Sequence, residues 1–218
     1  MRVVVSIVIA FSFAAALGAQ TAALPKDINP ESLSRLPLLK RADMDADGQR
    51  VYDLLAGGPG KTVAPTGPVA ISLYSPKAAE PIQMLNQYLR FHGVLSHRDS
   101  EVAILVTARE FDQQYEWSGH ESLARAAMVP QPVIDTIRYG KDAAGLSDKD
   151  TLIIKFARQL LRQHKLDSDL YAQAVATFGQ QGTLELATVV GDYALAAMML
   201  TAVDQHLPAG REQSLPPK

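Results

Sequence analysis

The stretch SEVAILVTAREFDQQYEWSGHESLA, residues 100–124, decides the fold. Apolar side chains recur in its first half at spacings of three and four residues, which predicts a helix with one core face. The pattern breaks at Phe111. A second helix is predicted over about residues 113–128, because Pro130 cannot continue it. The stretch therefore predicts two consecutive helices joined by a short break.

Helical patterns continue on both sides of this stretch, and no segment alternates as a strand would. Ser75-Pro76 is a helix start, with serine at the cap and proline at the first helical position. The preceding residues 57–76 are rich in proline and glycine and predict a long loop. The sequence thus predicts an all-α bundle of seven or eight helices, with the apolar last helix buried at the centre. The other predicted helices cover about residues 43–55, 76–91, 99–110, 131–139, 148–164, 168–178 and 182–205.

The N-terminal end has a short positive start and then an uncharged apolar run. This pattern predicts a secretory signal peptide, cleaved near Gly18 or Ala19, and an exported protein that is periplasmic or secreted. A retained membrane anchor is the alternative, although the run is shorter than the ~20 residues that span a bilayer. After cleavage we expect no membrane contact. The predicted organisation is a signal peptide over 1–19, an extended segment over 20–42, a helical domain over 43–208 and a flexible tail over 209–218.

The composition excludes several classes of function. The 218 residues include 21 basic and 23 acidic side chains, with a net charge of -2 and no basic run, so no nucleic-acid partner is predicted. Because cysteine is absent, disulfides, thiolate metal ligands and redox dithiols are excluded for this chain.

The densest group of polar residues contains Glu116 and His120, which share a helix face because they are four residues apart. A carboxylate beside an imidazole holds one tautomer and prepares an acid–base pair. Glu101 joins this pair if the break lets the two helices lie antiparallel. Two other interpretations stay open: a solvated Glu–His pair on a helix surface, or a metal site. No second motif completes a metal site, so none is predicted.

Four further side chains are candidates for binding a substrate: His92, Arg109, Trp117 and Tyr74. Arg109 suits a substrate carboxylate, or it pairs with a neighbouring acid. The alternative role of His92 is that of a surface histidine at the C-terminus of a helix, where the helix dipole favours it. The alternative role of Trp117 and Tyr74 is packing. Asp192 lies in an apolar helix and requires a partner, for which a subunit interface is one source.

Three segments resemble the carboxymuconolactone decarboxylase-like family most clearly, and the resemblance as a whole extends over about residues 35–208. They are residues 75–99, 100–138 and 182–208, and the most specific piece is Tyr-Glu-Trp-x-x-His at Tyr115 to His120. The resemblance implies an all-α fold and homo-oligomers, trimers or larger. It also implies a cofactor-free reaction in which a small carboxylated lactone loses CO2 and carbon is reprotonated.

The same superfamily contains the alkyl hydroperoxidase D group, which uses a Cys-x-x-Cys-x-x-x-His motif and an upstream glutamate. Aligned on His120, this chain has Gln113 and Glu116 at the two cysteine positions and Glu101 at the position of the relay glutamate. Peroxide reduction by such a motif needs a thiolate. The resemblance therefore implies proton transfer and no thiol peroxidase activity for this chain.

The hypothesis from sequence is a cofactor-free acid–base enzyme that decarboxylates or isomerises a small lactone or enolisable carboxylic acid. His120 would donate or accept the proton, Glu116 would orient it, and Glu101 would be a relay or second base. The alternative is a ligand-binding or accessory protein that has the same fold and pocket without catalysis.

Overall fold

The computed structural model describes residues 24–57 and 65–217, so the predicted signal peptide lies outside the described residues. Within these ranges the protein is helical, and its one strand-like feature is an isolated bridge between Asn29 and Ser34. The prediction of an all-α bundle is confirmed. A 3-10 turn, Arg41–Asp43, precedes eight helices: α1 Ala46–Leu55, α2 Gly67–Ser72, α3 Pro76–Phe91, α4 His97–Glu110, α5 Gln114–Ala126, α6 Gln131–Arg138, α7 Asp148–Gln163 and α8 Ser168–Ala202.

Helix α4 lies at the centre of the bundle, and all of its side chains over residues 99–109 are buried. It contacts α5, α6, α7 and α8. A helix surrounded on all sides needs apolar residues around its circumference, which residues 102–106 supply. The prediction that the last helix is the central element is therefore wrong, because α8 packs one side on α4 and exposes Leu184 and Met198 on another.

Helix α8 consists of two helical arms that meet at a kink. Gly179 has φ 71 and ψ 176, outside the helical region, so the two helices predicted over 168–178 and 182–205 are two arms of α8. Among the described residues, α8 alone is long and apolar enough to cross a membrane, but 56% of that apolar window is buried in the bundle. This burial is typical of the core helix of a soluble domain.

Helix α2 occupies the second half of the region predicted as a long loop, so that prediction is wrong there. It packs on α3 and α8. Gly67, at its start, has φ +58, and a Cβ at this position would lie 2.5 Å from Cε1 of Tyr115. Glycine is required on both counts, since a side chain would be strained and would push α2 away from α5.

The C-terminal tail, predicted as flexible, is anchored near its end. Leu215 is buried, and its backbone N–H and C=O form hydrogen bonds with the side-chain amide of Gln114 at 3.2 and 2.8 Å. Arg109 donates to the carbonyl of Pro216 at 2.8 Å. These contacts fix the tail to the junction between α4 and α5.

Candidate active site

The break between α4 and α5 brings a glutamate and a histidine together. Helix α4 ends at Glu110 with Phe111 as its C-cap, and Asp112 has φ 50, a left-handed conformation that reverses the chain. Helix α5 then packs back on α4, so that Nδ1 of His120 lies 2.8 Å from Oε2 of Glu101. The structure therefore meets the condition under which Glu101 joins the Glu116–His120 pair.

Glu101 is fully buried and faces three positively charged or ionisable side chains. Besides His120, it lies 3.4 Å from Nη2 of Arg90 and 3.7 Å from Nε2 of His97. A buried carboxylate requires such partners, because burial removes its hydration. Since a carboxylate only accepts hydrogen bonds, Nδ1 of His120 is the donor to Glu101. In the neutral imidazole the lone pair of Nε2 then lies on the opposite side of the ring.

Glu116 lies on that opposite side, with its Oε2 3.5 Å from Nε2 of His120. From sequence, Glu116 is expected to orient the imidazole, whereas in the structure Glu101 has the orienting position. Burial is the main effect on Glu116 and raises the pKa of its carboxyl, against the opposing effect of His120. Its Oε1 is buried without a hydrogen-bond partner among the described residues. An unsatisfied buried acceptor at this position is available to a ligand.

A cavity of about 170 Å³ opens beside His120 and Glu116. This volume is below the ~300 Å³ at the lower end of pockets for drug-sized ligands, so it fits a small substrate. Its walls come from α2, α3, α5 and α8. The lining side chains are Pro68, Val69, Ser72, Ile82, Gln83, Asn86, Gln87, Arg90, Glu116, His120, Asp192, Tyr193, Ala196 and Met199.

Two neighbouring residues of α8 complete the charged end of the cavity. The Tyr193 ring contacts the His120 ring edge to face, with centroids 4.9 Å apart and planes at 88°. Asp192 accepts a hydrogen bond from Nδ2 of Asn86 at 2.8 Å. The partner that Asp192 requires is therefore found within the chain. Burial raises the pKa of Asp192 and of Tyr193.

The four side chains predicted to bind a substrate do not line this cavity. His92 is exposed at the end of α3, and Trp117 is fully buried and donates from Nε1 to Glu121 at 2.8 Å. Arg109 is buried and donates to Asp112 and to the tail. Tyr74 donates to the carbonyl of Pro37 at 2.6 Å and borders a separate cavity of about 330 Å³.

Sequence reasoning missed the polar residues of α3 that line the cavity. Gln83, Asn86, Gln87 and Arg90 follow a spacing of three and four residues and face the cavity. The opposite face is apolar and exposed, with Met84 and Phe91 more than half exposed. Helix α3 thus has a polar stripe toward the cavity beside its buried apolar residues, and this stripe is the signal in the sequence that identifies Asn86 and Arg90.

In the part of the chain that the structure describes, no group of three or more histidine, cysteine or acidic side chains is arranged to hold a metal ion. The side chains around His120 are arranged for hydrogen bonding and proton transfer. The site combines an oriented imidazole, a buried carboxyl with a raised pKa, and a guanidinium on one cavity wall. It can therefore remove or donate a proton beside a bound anion.

No protein-family model matches the chain, and no curated protein matches it in sequence. Among solved structures, an uncharacterised peroxidase-related protein with an alkylhydroperoxidase AhpD core, from Ralstonia eutropha JMP134, superposes with a TM-score of 0.65 at 16% identity. The alignment covers 81% of this chain and 93% of that chain. A second uncharacterised peroxidase-related protein, from Silicibacter sp. TM1040, has a TM-score of 0.65 at 13% identity and covers 87% and 97% of the two chains.

A third similar structure is the debrominase Bmp8 in complex with 2,3,4-tribromopyrrole. It superposes with a TM-score of 0.56 at 13% identity, over 81% of this chain and 94% of that chain. Identities of this size establish the fold and leave the reaction open. The chain therefore has the all-helical fold of the alkylhydroperoxidase AhpD core.

Proposed function

We propose that the protein is a cofactor-free acid–base enzyme that decarboxylates or isomerises a small lactone or enolisable carboxylic acid. The observation that carries this proposal is the arrangement of His120, which Glu101 holds at Nδ1 while Nε2 lies on the side of Glu116 and the cavity. A buried carboxylate beside the imidazole stabilises the imidazolium that forms when Nε2 takes a proton. Glu116 contributes a second carboxyl, next to the nitrogen that handles the proton.

Arg90 is the group that we assign to the substrate carboxylate. Its side chain lines the cavity, and its Nε is buried without a hydrogen-bond partner among the described residues. A guanidinium binds a carboxylate through paired N–H donors. Arg90 thus takes the role that the sequence suggested for Arg109.

In the decarboxylation, the carbon–carboxylate bond breaks and CO2 leaves. The electron pair remains on the substrate as an enolate. Protonated His120 then donates its Nε2 proton to carbon, and solvent returns a proton to the imidazole. In the isomerisation, neutral His120 first removes a proton from carbon and later returns it to a different carbon of the same enolate.

Thiol chemistry is outside this proposal. Two similar structures are peroxidase-related proteins, but this chain has no cysteine, so it cannot form a thiolate nucleophile or a redox disulfide. The structure with 2,3,4-tribromopyrrole supports a small-molecule substrate for this fold.

We also propose that the protein is exported and forms homo-oligomers. Export rests on the apolar N-terminal run within residues 1–19, which lie outside the described part of the chain. Self-association rests on exposed apolar side chains of α3 and α8, two helices that pack against each other. The large ones among them are Met84, Leu85, Tyr88, Phe91, Leu184, Leu195 and Met198. Such a surface is typical of an interface between subunits.

The test is a screen of small lactone acids and enolisable acids with the wild-type protein and with His120→Gln. We expect turnover of at least one compound by the wild type and a loss of at least ~100-fold in His120→Gln, the usual contribution of an acid–base residue. Equal turnover of that compound by both proteins would contradict the assignment. Binding of these acids without turnover would favour a ligand-binding protein instead.

A further inference from the structure

Asp192 is the one carboxyl side chain of α8 between Glu185 and the end of that helix. It is 7% exposed and lines the same cavity as His120. A carboxyl in an apolar helix is destabilising unless it has hydrogen-bond partners, so its position on the cavity wall requires an explanation.

The hydrogen bond with Asn86 satisfies only one of the two oxygens of this carboxyl. Nδ2 of Asn86 donates to Oδ2 at 2.8 Å, and this is the only hydrogen bond to the Asp192 side chain within residues 24–57 and 65–217. A carboxyl kept only for packing has both oxygens satisfied as a rule. The second oxygen of Asp192 is therefore available to a molecule in the cavity.

Asp192 and His120 line the same cavity. The ring of Tyr193, the next residue, contacts the His120 ring, so the two proton-carrying groups lie on adjoining walls of one small cavity. Glu116 also lines this cavity, and burial raises the pKa of both carboxyls. Two carboxyls in one cavity do not both ionise readily, so one of them keeps its proton.

We propose that Asp192 is a second catalytic residue, which donates its carboxyl proton to the substrate carbonyl oxygen while His120 acts at the adjacent carbon. This inference rests on the proposed function. Glu116 is less suited to the role, because its Oε2 faces Nε2 of His120 and its Oε1 is fully buried. Asn86 is a positioning residue, since it fixes one oxygen of Asp192 and leaves the other for the substrate.

The proton transfers balance for both reactions. In the isomerisation, Nε2 of His120 takes a proton from carbon, the electron pair moves into the carbonyl, and its oxygen takes the proton of Asp192 to give a neutral enol. The enol then returns its O–H proton to Asp192 as carbon takes a proton from the imidazolium. In the decarboxylation, the electron pair of the breaking carbon–carboxylate bond forms the same enol. The substrate must therefore have a carbonyl group one bond from the reacting carbon.

The experiment compares Asp192→Asn with the wild type on the compound that the wild type turns over. Asparagine keeps the size of the side chain and an acceptor for Asn86 but has no acidic proton. We expect kcat to fall by at least ~100-fold and KM to change by less than about threefold. Asp192→Glu restores part of kcat, since it returns the acid. Glu185→Gln is the matched control, because Glu185 is an equally buried carboxyl of α8 outside the cavity, and it keeps the wild-type kcat.

Thermal unfolding of each variant, monitored by circular dichroism, separates a loss of catalysis from a loss of fold. Wild-type kcat in Asp192→Asn, together with an inactive His120→Gln, would overturn this inference and leave the proposed function standing. Equal losses in Asp192→Asn and Glu185→Gln would also overturn it. Absence of turnover by the wild type across the panel contradicts the proposed function, and the catalytic role of Asp192 with it.

Discussion

Glu101 and His120 are 19 residues apart in the sequence, yet Oε2 of the glutamate lies 2.8 Å from Nδ1 of the histidine. The contact joins the central helix α4 to α5. Because α4 is buried on all sides, the carboxylate that holds the imidazole has little freedom to move. The orientation of His120 is therefore fixed by the core of the bundle.

Glu101→Gln keeps a side chain of the same size at this position and removes its charge. We expect kcat to fall by about 100-fold, because the imidazolium loses the carboxylate that stabilises it. Steady-state kinetics gives the loss, and ¹⁵N NMR of the imidazole reports which ring nitrogen carries the proton. Unchanged kcat would show that Glu101 has only a structural role.

Glu116→Gln should change how stability depends on pH. Burial raises the pKa of Glu116 above its ordinary value of 4.5, so the folded state holds this proton more tightly than the unfolded chain. The resulting stabilisation is complete below about pH 4.5 and is lost as the pH rises through the folded-state pKa. We therefore expect the variant to have a higher free energy of unfolding than the wild type at about pH 8, with the difference shrinking toward about pH 4.

Urea unfolding at several pH values measures this difference. Part of the dependence on pH remains in Glu116→Gln, since burial also raises the pKa of Asp192. Identical pH profiles for the variant and the wild type would mean that Glu116 titrates in the folded protein as it does in the unfolded chain.

Gly67→Ala tests whether the contact with Tyr115 holds α2 against the cavity. Gly140 is the matched control, because it has φ +62, close to the +58 of Gly67, but has no atom within 4 Å of an added Cβ. Alanine at either position strains the backbone by ~1–2 kcal/mol. We expect Gly67→Ala to lose at least ~1 kcal/mol more in urea unfolding and also to raise KM, since α2 forms one cavity wall. Equal losses in the two variants would show that Tyr115 moves aside freely.

Arg90→Gln and Arg109→Gln compare two arginines with different surroundings. Loss of a hydrogen-bonded charge pair with the substrate is worth ~1.5–3 kcal/mol, so we expect Arg90→Gln to raise KM by roughly 10- to 100-fold. Arg109→Gln should leave KM near the wild-type value and lower the free energy of unfolding, because its partners are Asp112 and the tail. A rise in KM confined to Arg109→Gln would reverse the assignment.

Met84→Glu tests the proposed self-association through α3. Met84 is 65% exposed on the apolar face of that helix, and Met128 is 81% exposed after the end of α5. Multi-angle light scattering should give an oligomer for the wild type and for Met128→Glu, and a smaller species for Met84→Glu, because a charge in an apolar interface is unfavourable. A monomeric wild type at micromolar concentration would contradict the proposal.

The sequence predicted the helices well because their signals are local. The local signals are the apolar spacing, the proline at the first position of α3 and the break at Gly179. Each acts within a few residues of the position that it specifies. The existence of α2 was missed, because prolines and glycines usually indicate a loop, and its position depends on a contact between Gly67 and Tyr115. That contact joins residues far apart in the chain.

The site was predictable only in part, for the same reason. Spacing on one helix brings Glu116 to His120, but Glu101 reaches the imidazole only through the reversal at Asp112. Arg109 was expected to bind a substrate on the basis of its chemistry, whereas Arg90 lines the cavity because of the polar stripe on α3. Burial of Arg109 against the tail could not be anticipated from either segment alone.

The anchored tail has a practical consequence for recombinant work with this protein. The backbone of Leu215 forms two hydrogen bonds with the side-chain amide of Gln114. Gln114 is the first residue of the helix that carries Glu116 and His120. Truncation before Leu215, or an affinity tag that displaces this end of the chain, would remove the hydrogen bonds to Gln114. The first turn of α5 would then be less stable. A preparation altered in this way would lose activity through its terminus, with every side chain of the cavity still intact.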